Sequence, residues 1–405
     1  MLKRILYHHI WEDLSKDKSM IFLAGPRQSG KTTFARMLAK DFSSSVYFNW
    51  DLITNKSLLI QKPTFFEEVH RKDNTPPLVI YDEIHKYRKW KNYLKGIYDQ
   101  FSNQYQFLVL GSGRLNVFQK GGDSLAGRYF LLTLWPFTLA ELAGKRRSFN
   151  DFFKDPLMLD DDDPALLKIW ENLSRLSGFP EPYLSGRETV HRRWSKNYGQ
   201  QLIREDIRNM TSLKNMDDVE ILFSLLPSKV GSPLSLSNLA QDLQVSFNSV
   251  RDWLKVFESF FIAFRISPWS NKISRAIKKE KKLYLFDVVN IPSDSAKFEN
   301  RIALELLRAV SNWNDLGLGN FDLHYLRNKE GEEVDFLIAN NHVPQILVEA
   351  KLSETGVSKS LLKFQSHLNI PALQLVNRPN IARKISNQKQ QILIVTASRW
   401  LATLP

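Results

Sequence analysis

The segment Gly25-Pro26-Arg27-Gln28-Ser29-Gly30-Lys31-Thr32 constrains this chain more than any other. It follows the apolar run SMIFLAG, residues 19–25, and opens the helix-forming stretch TTFARMLAKDF after Lys31. A strand that turns into a helix through such a loop commits its surroundings to a parallel α/β layer. The glycines let the backbone curl until successive N–H groups face one concavity, and the helix N-terminus adds its dipole, which together suit phosphate. In this reading Gly25, Pro26, Arg27, Gln28, Ser29, Gly30, Lys31, Thr32 and Thr33 line the nucleotide. Lys31 reaches the β- and γ-phosphates, and Thr32 ligates Mg²⁺. The plain alternative is a strand–helix turn with an exposed lysine, which leaves the full pattern and its context unexplained.

Further short apolar runs follow at SVYFNW (45–50), PLVIYDE (77–83), FLVLGSG (107–113) and YFLLTLW (129–135), with helical stretches between several of them. Their alternation predicts a mostly parallel sheet with helices on both faces. The run LVIYDE ends in Asp82 and Glu83, which a parallel sheet brings to the edge that carries the phosphate loop. Asp82 is placed to hold Mg²⁺ and Glu83 to polarise an attacking water. An acidic helix cap is the plainer reading of the same pair. After FLVLG, Ser112 is placed to help orient that water. Arg128, just before the next strand, is a candidate arginine finger for a neighbouring subunit, with Arg114 as its competitor and a surface arginine as the plain alternative.

These segments, GPRQSGKT, LVIYDEIHK, LGSG and SLAGRYFLLTLWPFTLAEL, resemble the AAA+ ATPases. They are most similar to prokaryotic AAA ATPases with a C-terminal domain of uncharacterised function. GFPEPYL (178–184) is similar to that family's turn, with Ser177 where the family has glycine. The resemblance implies ATP and Mg²⁺ as cofactors, a helical lid, a trans-acting arginine at Arg128 and a ring-forming oligomer, most often a hexamer.

Charge adds a partner. The 405 residues hold 56 Lys and Arg against 43 Asp and Glu, a net +13, which favours a polyanion, nucleic acid before membrane. No apolar run reaches the roughly 18 residues needed to span a bilayer. The N-terminal MLKRILYHHIWEDL reads as an amphipathic helix rather than a signal peptide, so a cytoplasmic location is expected. With no Cys, disulfide frameworks, thiolate metal sites and cysteine nucleophiles are excluded. The acidic run Asp160–Asp163 reads as a loop or helix entry.

The segment LSLSNLAQDLQVSFNSVRDWLKVFESFFIAFRIS (234–267) has helical apolar faces at Leu236, Leu239 and Leu243 and at Val250, Trp253, Leu254 and Phe257. It resembles a winged-helix module, whose second helix would offer Ser246, Asn248, Ser249, Arg251 and Lys255 to a DNA groove. A protein-contact or spacer role is equally open. The basic stretch NKISRAIKKEKK (271–282) is expected to bridge two domains.

In the tail, Glu299 lies in a helical stretch, Asp335 in GEEVDFLI and Glu349 and Lys351 in ILVEAKL. Glu349 and Lys351, two apart on a strand, share a face. Glu299, Asp335 and Glu349 are candidates for a second Mg²⁺ site, with Lys351 positioning or deprotonating water. The order resembles the PD-(D/E)XK nuclease fold, either cleaving or only binding DNA. The expected architecture is α/β: an AAA+ parallel-sheet core over 1–165, a helical lid over 166–216, a winged-helix module over 217–270 and a PD-(D/E)XK nuclease-like α/β domain over 271–405. The expected function is an oligomeric Mg²⁺-dependent ATPase that acts on DNA by remodelling or translocation, with branched DNA as a candidate substrate, and with an ATP-gated nuclease or a signalling or protein-remodelling switch as alternatives.

Overall fold

Five apolar runs of the first 136 residues become one parallel sheet. The computed structural model describes residues 2–111, 125–144, 147–208, 215–270, 280–353, 356–387 and 390–405. The chain divides into two units, Met1–Pro136 and Phe137–Pro405. Among the described residues of the first unit, β1 (Met20–Ala24), β2 (Ser45–Asn49), β3 (Leu78–Asp82), β4 (Gln106–Leu110) and β5 (Phe130–Thr133) lie in the order β2-β3-β4-β1-β5, every neighbouring pair parallel. β1 and β3 are buried along their whole length, as unbroken apolar runs require when helices cover both faces of a sheet. Helices α1 (Ile5–Asp17), α2 (Lys31–Leu38), α3 (Ile53–Gln61) and α4 (Trp90–Phe101) complete the layers. One side of the core is aromatic, with Phe48, Phe66, Tyr81, Phe101, Tyr105 and Phe107 in edge-on and tilted contacts. Because all five strands run the same way, the loop after β1 and the carboxylates ending β3 emerge at one edge, where open α/β sheets bind ligands. This first unit ends at Pro136, just after its last strand, β5.

In the second unit the described residues form a nine-stranded mixed sheet, β13-β14-β12-β11-β10-β9-β7-β8-β6. Its strands are β6 (Pro233–Leu234), β7 (Ala263–Pro268), β8 (Lys281–Leu285), β9 (Phe321–Arg327), β10 (Glu333–Asn340), β11 (Val343–Lys351), β12 (Ala372–Val376), β13 (Ala382–Asn387) and β14 (Gln390–Thr396). Helices Leu236–Asp242 and Phe247–Ser259 stand between β6 and β7, and β8 pairs antiparallel with both strands. Ser235 and Ser246 cap those helices by accepting the backbone N–H three residues on. Residues 271–279 lie outside the described residues. The strands that flank them pair directly, Ala263 with Leu285 and Ile266 with Lys282. β7 also pairs Ser267 and Pro268 parallel to β9, so strands on both sides of position 270 share one sheet.

The long helix Asp294–Asp315 is buried on most of its surface, and its ion pair Arg301–Glu305 (2.8 Å) is fully enclosed. Glu305 also accepts both its short contacts, 3.0 Å each, from the Leu139 N–H, so the buried charge is paired and hydrogen-bonded as burial demands. β11, helix Lys359–Leu368 and β12 form a parallel crossover. Before the helix Pro180–Ser185, Ser177 adopts φ 68° and ψ 168°, a region that glycine alone occupies without strain. That is the position where the resembled family has glycine. No helix among the described residues is long and apolar enough to cross a membrane.

Candidate functional site

The loop after β1 is shaped by two backbone positions. Gly25 has φ 140°, and a Cβ there would stand 2.3 Å from the Leu134 carbonyl oxygen, so only glycine lets the loop pass this close to the chain after β5. Gly30, at φ 93°, turns the chain into α2. The Lys31 ammonium donates to the carbonyls of Gly25 (3.1 Å) and Pro26 (2.6 Å), which holds it within the loop. Sequence reasoning missed a brace beneath this loop. Arg4, nearly fully buried, donates to the Ser29 carbonyl (3.0 Å) and the Trp135 carbonyl (2.6 Å), and the Tyr7 hydroxyl accepts from the Trp135 N–H (3.2 Å). Only the basic residues before an amphipathic helix hinted at it.

Thr32 and Asp82, fifty residues apart, meet at 2.8 Å, with the Thr32 hydroxyl donating to the carboxylate. The Tyr47 hydroxyl donates to the same oxygen at 2.7 Å, and burial together with that anion pushes its pKa up to about 12. Tyr47 was not foreseen, although β2 carries it directly beside β3. Glu83 follows in the left-handed region, φ 57°, and turns its carboxylate to Lys86 at 3.0 Å; Lys86 also pairs with Asp51 at 2.6 Å. The residues fit a nucleotide and Mg²⁺: a glycine-shaped loop, a cation within it, and a hydroxyl–carboxylate pair at its mouth. Ser112 and Arg114 lie outside the described residues. Arg128 makes two contacts with Asp99 of α4, at 2.6 and 3.1 Å, and remains partly exposed.

In the second unit Glu299, Asp335, Glu349 and Lys351 share one neighbourhood, and a residue the sequence reading passed over joins the first two. Lys282, 1% exposed, pairs with Glu299 (3.0 Å), Glu333 (2.5 Å) and Asp335 (3.3 Å). The Tyr284 hydroxyl donates to Glu299 at 2.7 Å, and Asp335 accepts the Ala350 N–H at 2.9 Å. Lys351 pairs with Glu349 at 2.7 Å. Lys282 and Tyr284 stand two apart on β8 and face the same helix, a spacing hidden within the basic run. Four carboxylates thus face two ammonium groups, an excess of negative charge that suits a divalent cation. Burial, and then the charge of Asp335, push Glu299 and Glu349 up to about 7. The three predicted ligands do not draw their oxygens to one point: among the described residues no trio of them lies mutually within 4.8 Å, and the Lys282 ammonium stands between Glu299 and Asp335.

On the helix Phe247–Ser259, Arg251 and Lys255 both pair with Asp252, at 3.1 and 3.2 Å, and Ser246 and Ser249 bond each other at 2.9 Å. Most of the side chains expected to face a groove are therefore engaged locally.

Comparison with known proteins matches residues 17–143 to the family described as AAA domain. Residues 168–289 and 295–397 match two families, each described as a domain of unknown function (DUF8612 and DUF4143). Relatives include uncharacterized protein MJ1544 of Methanocaldococcus jannaschii, 22% identical over 366 residues that cover 87% of this chain and 79% of that protein. Another is uncharacterized protein Rv2008c of Mycobacterium tuberculosis, 19% identical over 365 residues, covering 88% and 76%. Among solved structures, the Walker-type ATPase PABY2304 of Pyrococcus abyssi aligns with a TM-score of 0.44 at 14% identity, over 71% of this chain and 94% of that one. Drosophila ORC bound to DNA aligns with a TM-score of 0.30 at 13% identity, over 69% and 91%. The segment 17–143 thus matches an AAA domain in sequence, and its parallel sheet, glycine-shaped loop and Thr32–Asp82 pair are those of a P-loop ATPase fold.

Proposed function

We propose that this chain is an Mg²⁺-dependent ATPase that couples ATP hydrolysis to the binding and remodelling of DNA, or to translocation along it, as a homo-oligomer. The observation that carries the catalytic half is the Thr32–Asp82 contact at 2.8 Å with Glu83 next in the chain. The loop N–H groups and Lys31 bind the triphosphate, with Thr33 beside them. Thr32 and Asp82 hold Mg²⁺, which supplies neutralisation of phosphate charge. Glu83, once released from Lys86, accepts a proton from the attacking water, and Ser112 helps to orient it. Arg128, once released from Asp99, reaches the γ-phosphate bound by a neighbouring subunit in a hexameric ring. The net charge of +13 supports a DNA partner. So does the winged-helix-like order of strand, two helices and two antiparallel strands over 233–285. A branched DNA is the candidate substrate on the likeness of the tail to resolvase-type nucleases.

A second reading, an ATP-gated nuclease, is favoured by the shared neighbourhood of Glu299 and Asp335, both paired with Lys282, and of Glu349, which feels the charge of Asp335 and pairs with Lys351. In it the carboxylates hold a divalent cation and Lys351 positions water at the phosphodiester.

The deciding experiment is the steady-state ATPase rate without DNA and with single strands, duplex or a four-way junction. Stimulation by one DNA form, lost as salt rises, establishes the proposal; about six phosphate contacts cost roughly a thousandfold in affinity between 50 and 200 mM salt. Unchanged turnover with every form overturns the DNA half and leaves the ATPase. Cleavage of labelled DNA that disappears in Asp335→Ala moves the weight to the nuclease.

A further inference from the structure

Apart from the buried acidic cluster, the second unit holds a different kind of ligand set. Asp322, His324 and His342 each present one ligand atom, and these atoms all lie within 4.8 Å of one another. Three features of the fold bring them together. Asp322 and His324 are two apart on β9 and so project from one face. β10 runs antiparallel beside β9, with Ala339 opposite Asp322 and Asn340 opposite Phe321, which carries the β10–β11 turn to the start of β9. Asn341 and His342 make that turn at φ 48° and 63°.

The ring of His324 is already set for a ligand. Its Nδ1 lies 3.3 Å from the Ser267 carbonyl on β7, the strand paired with β9 at that residue. Nδ1–H donating to the carbonyl leaves the lone pair on Nε2. That Nε2 is buried and has no hydrogen-bond partner among the described residues. A ring that gives one N–H to a backbone carbonyl and keeps the other nitrogen for the ligand is the usual outer-shell arrangement of a metal-binding histidine. A buried polar atom without a partner is costly, and a bound cation would remove that cost. The turn is held as well, because the Trp269 indole N–H donates to the His342 carbonyl at 3.1 Å and the Trp269 N–H to the Tyr325 carbonyl at 2.8 Å.

We propose that Asp322, His324 and His342 form a binding site for a divalent transition-metal ion, zinc fitting best. Two imidazoles and one carboxylate suit zinc and its first-row neighbours; magnesium and calcium favour sets made wholly of oxygen. Zinc–ligand bonds of about 2.0–2.2 Å bring tetrahedral ligand atoms to roughly 3.3 Å apart. The two exposed side chains, Asp322 and His342, can close that difference by rotating while the half-buried His324 stays fixed. Water completes the shell. The ion would tie β9 to the β10–β11 turn, next to the strands that carry Asp335 and Glu349.

The test titrates Zn²⁺ alone into the chelator-stripped full chain by calorimetry, and Co²⁺ in parallel by visible absorption. The expected result is one equivalent bound with micromolar affinity or better, with a Co²⁺ band of a nitrogen-ligated, low-coordinate site. His324→Asn and His342→Asn should each weaken this uptake by more than about 100-fold, beyond what loss of an outer-shell partner costs. Asn tolerates the left-handed backbone at 342, so that variant keeps the turn. Glu349→Gln should leave the equivalent in place. Absence of stoichiometric uptake overturns the proposal. So does uptake that survives both histidine changes or vanishes in Glu349→Gln.

Discussion

Glu83 and Arg128 carry the proposed chemistry, and each is tied to a neighbour of opposite charge. Glu83 faces Lys86 at 3.0 Å, and Arg128 holds Asp99 at 2.6 Å. Glu83→Gln removes the proton acceptor but keeps the shape and the loop. Turnover should fall by about 100-fold or more, with ATP binding unchanged in a fluorescent-nucleotide titration. Turnover at the wild-type rate would remove Glu83 from the mechanism. Arg128→Ala should slow hydrolysis by about 1000-fold if the guanidinium serves a neighbouring subunit. Asp99→Asn is the control. A structural role in the Arg128–Asp99 pair predicts equal losses for the two variants, whereas a finger predicts a loss for Arg128→Ala alone, at an unchanged assembly size by light scattering. The glycine-shaped loop with its lysine was legible residue by residue because it is contiguous in the sequence. Arg4 was not, since its partners, the carbonyls of Ser29 and Trp135, belong to segments far along the chain.

At the scale of the element, apolar runs of about five residues were enough to place β1 to β5, because a strand covered on both faces needs no alternation. Their parallel polarity followed from the helices between several of them, whereas the strand order was decided in three dimensions. The turn before Pro180–Ser185 shows a local rule broken. Ser177 sits at φ 68°, its side chain fully enclosed and its hydroxyl without a hydrogen-bond partner among the described residues. Ser177→Gly relieves the backbone and removes a buried hydroxyl. It should stabilise the protein by about 1–3 kcal/mol, read as a shift in denaturation midpoint with an unchanged slope. A midpoint that falls would show that the hydroxyl has a role the strain offsets. The end of the basic run 271–282 shows a local reading overridden as well. A run of charge reads as a solvated linker, yet its last lysine is Lys282, buried on β8. Three carboxylates, Glu299, Glu333 and Asp335, and not the local sequence, make that burial tolerable.

Taken as a whole, the second unit carries a stored electrostatic cost. Burial, and then the charge of Asp335, push Glu299 and Glu349 up to about 7 in the fold, against an ordinary 4.5. An acid whose pKa is raised by folding holds its proton longer in the native state, so these groups weaken the fold as pH rises from about 4.5 and level off above 7. Glu349→Gln should therefore raise the melting temperature at pH 8 by a few degrees and leave it nearly unchanged at pH 4. A lowered melting temperature at pH 8 would mean that the Lys351 contact outweighs the repulsion from Asp335. Divalent cations bound at the cluster would have the same sign of effect as the substitution. By itself the sequence determined what depends on neighbours along the chain: the phosphate loop, the acidic end of β3, the strand and helix alternation and the net charge. These follow from backbone conformation and side-chain period, which are local. Tertiary structure decided which charges meet. Lys282 with Glu299, Glu333 and Asp335, and His324 with Asp322 and His342, unite segments that no spacing rule connects. Their distances and burial, and hence their pKa values and ligand geometry, arise only when the sheet brings β8, β9, β10 and β11 together with the helix that bears Glu299.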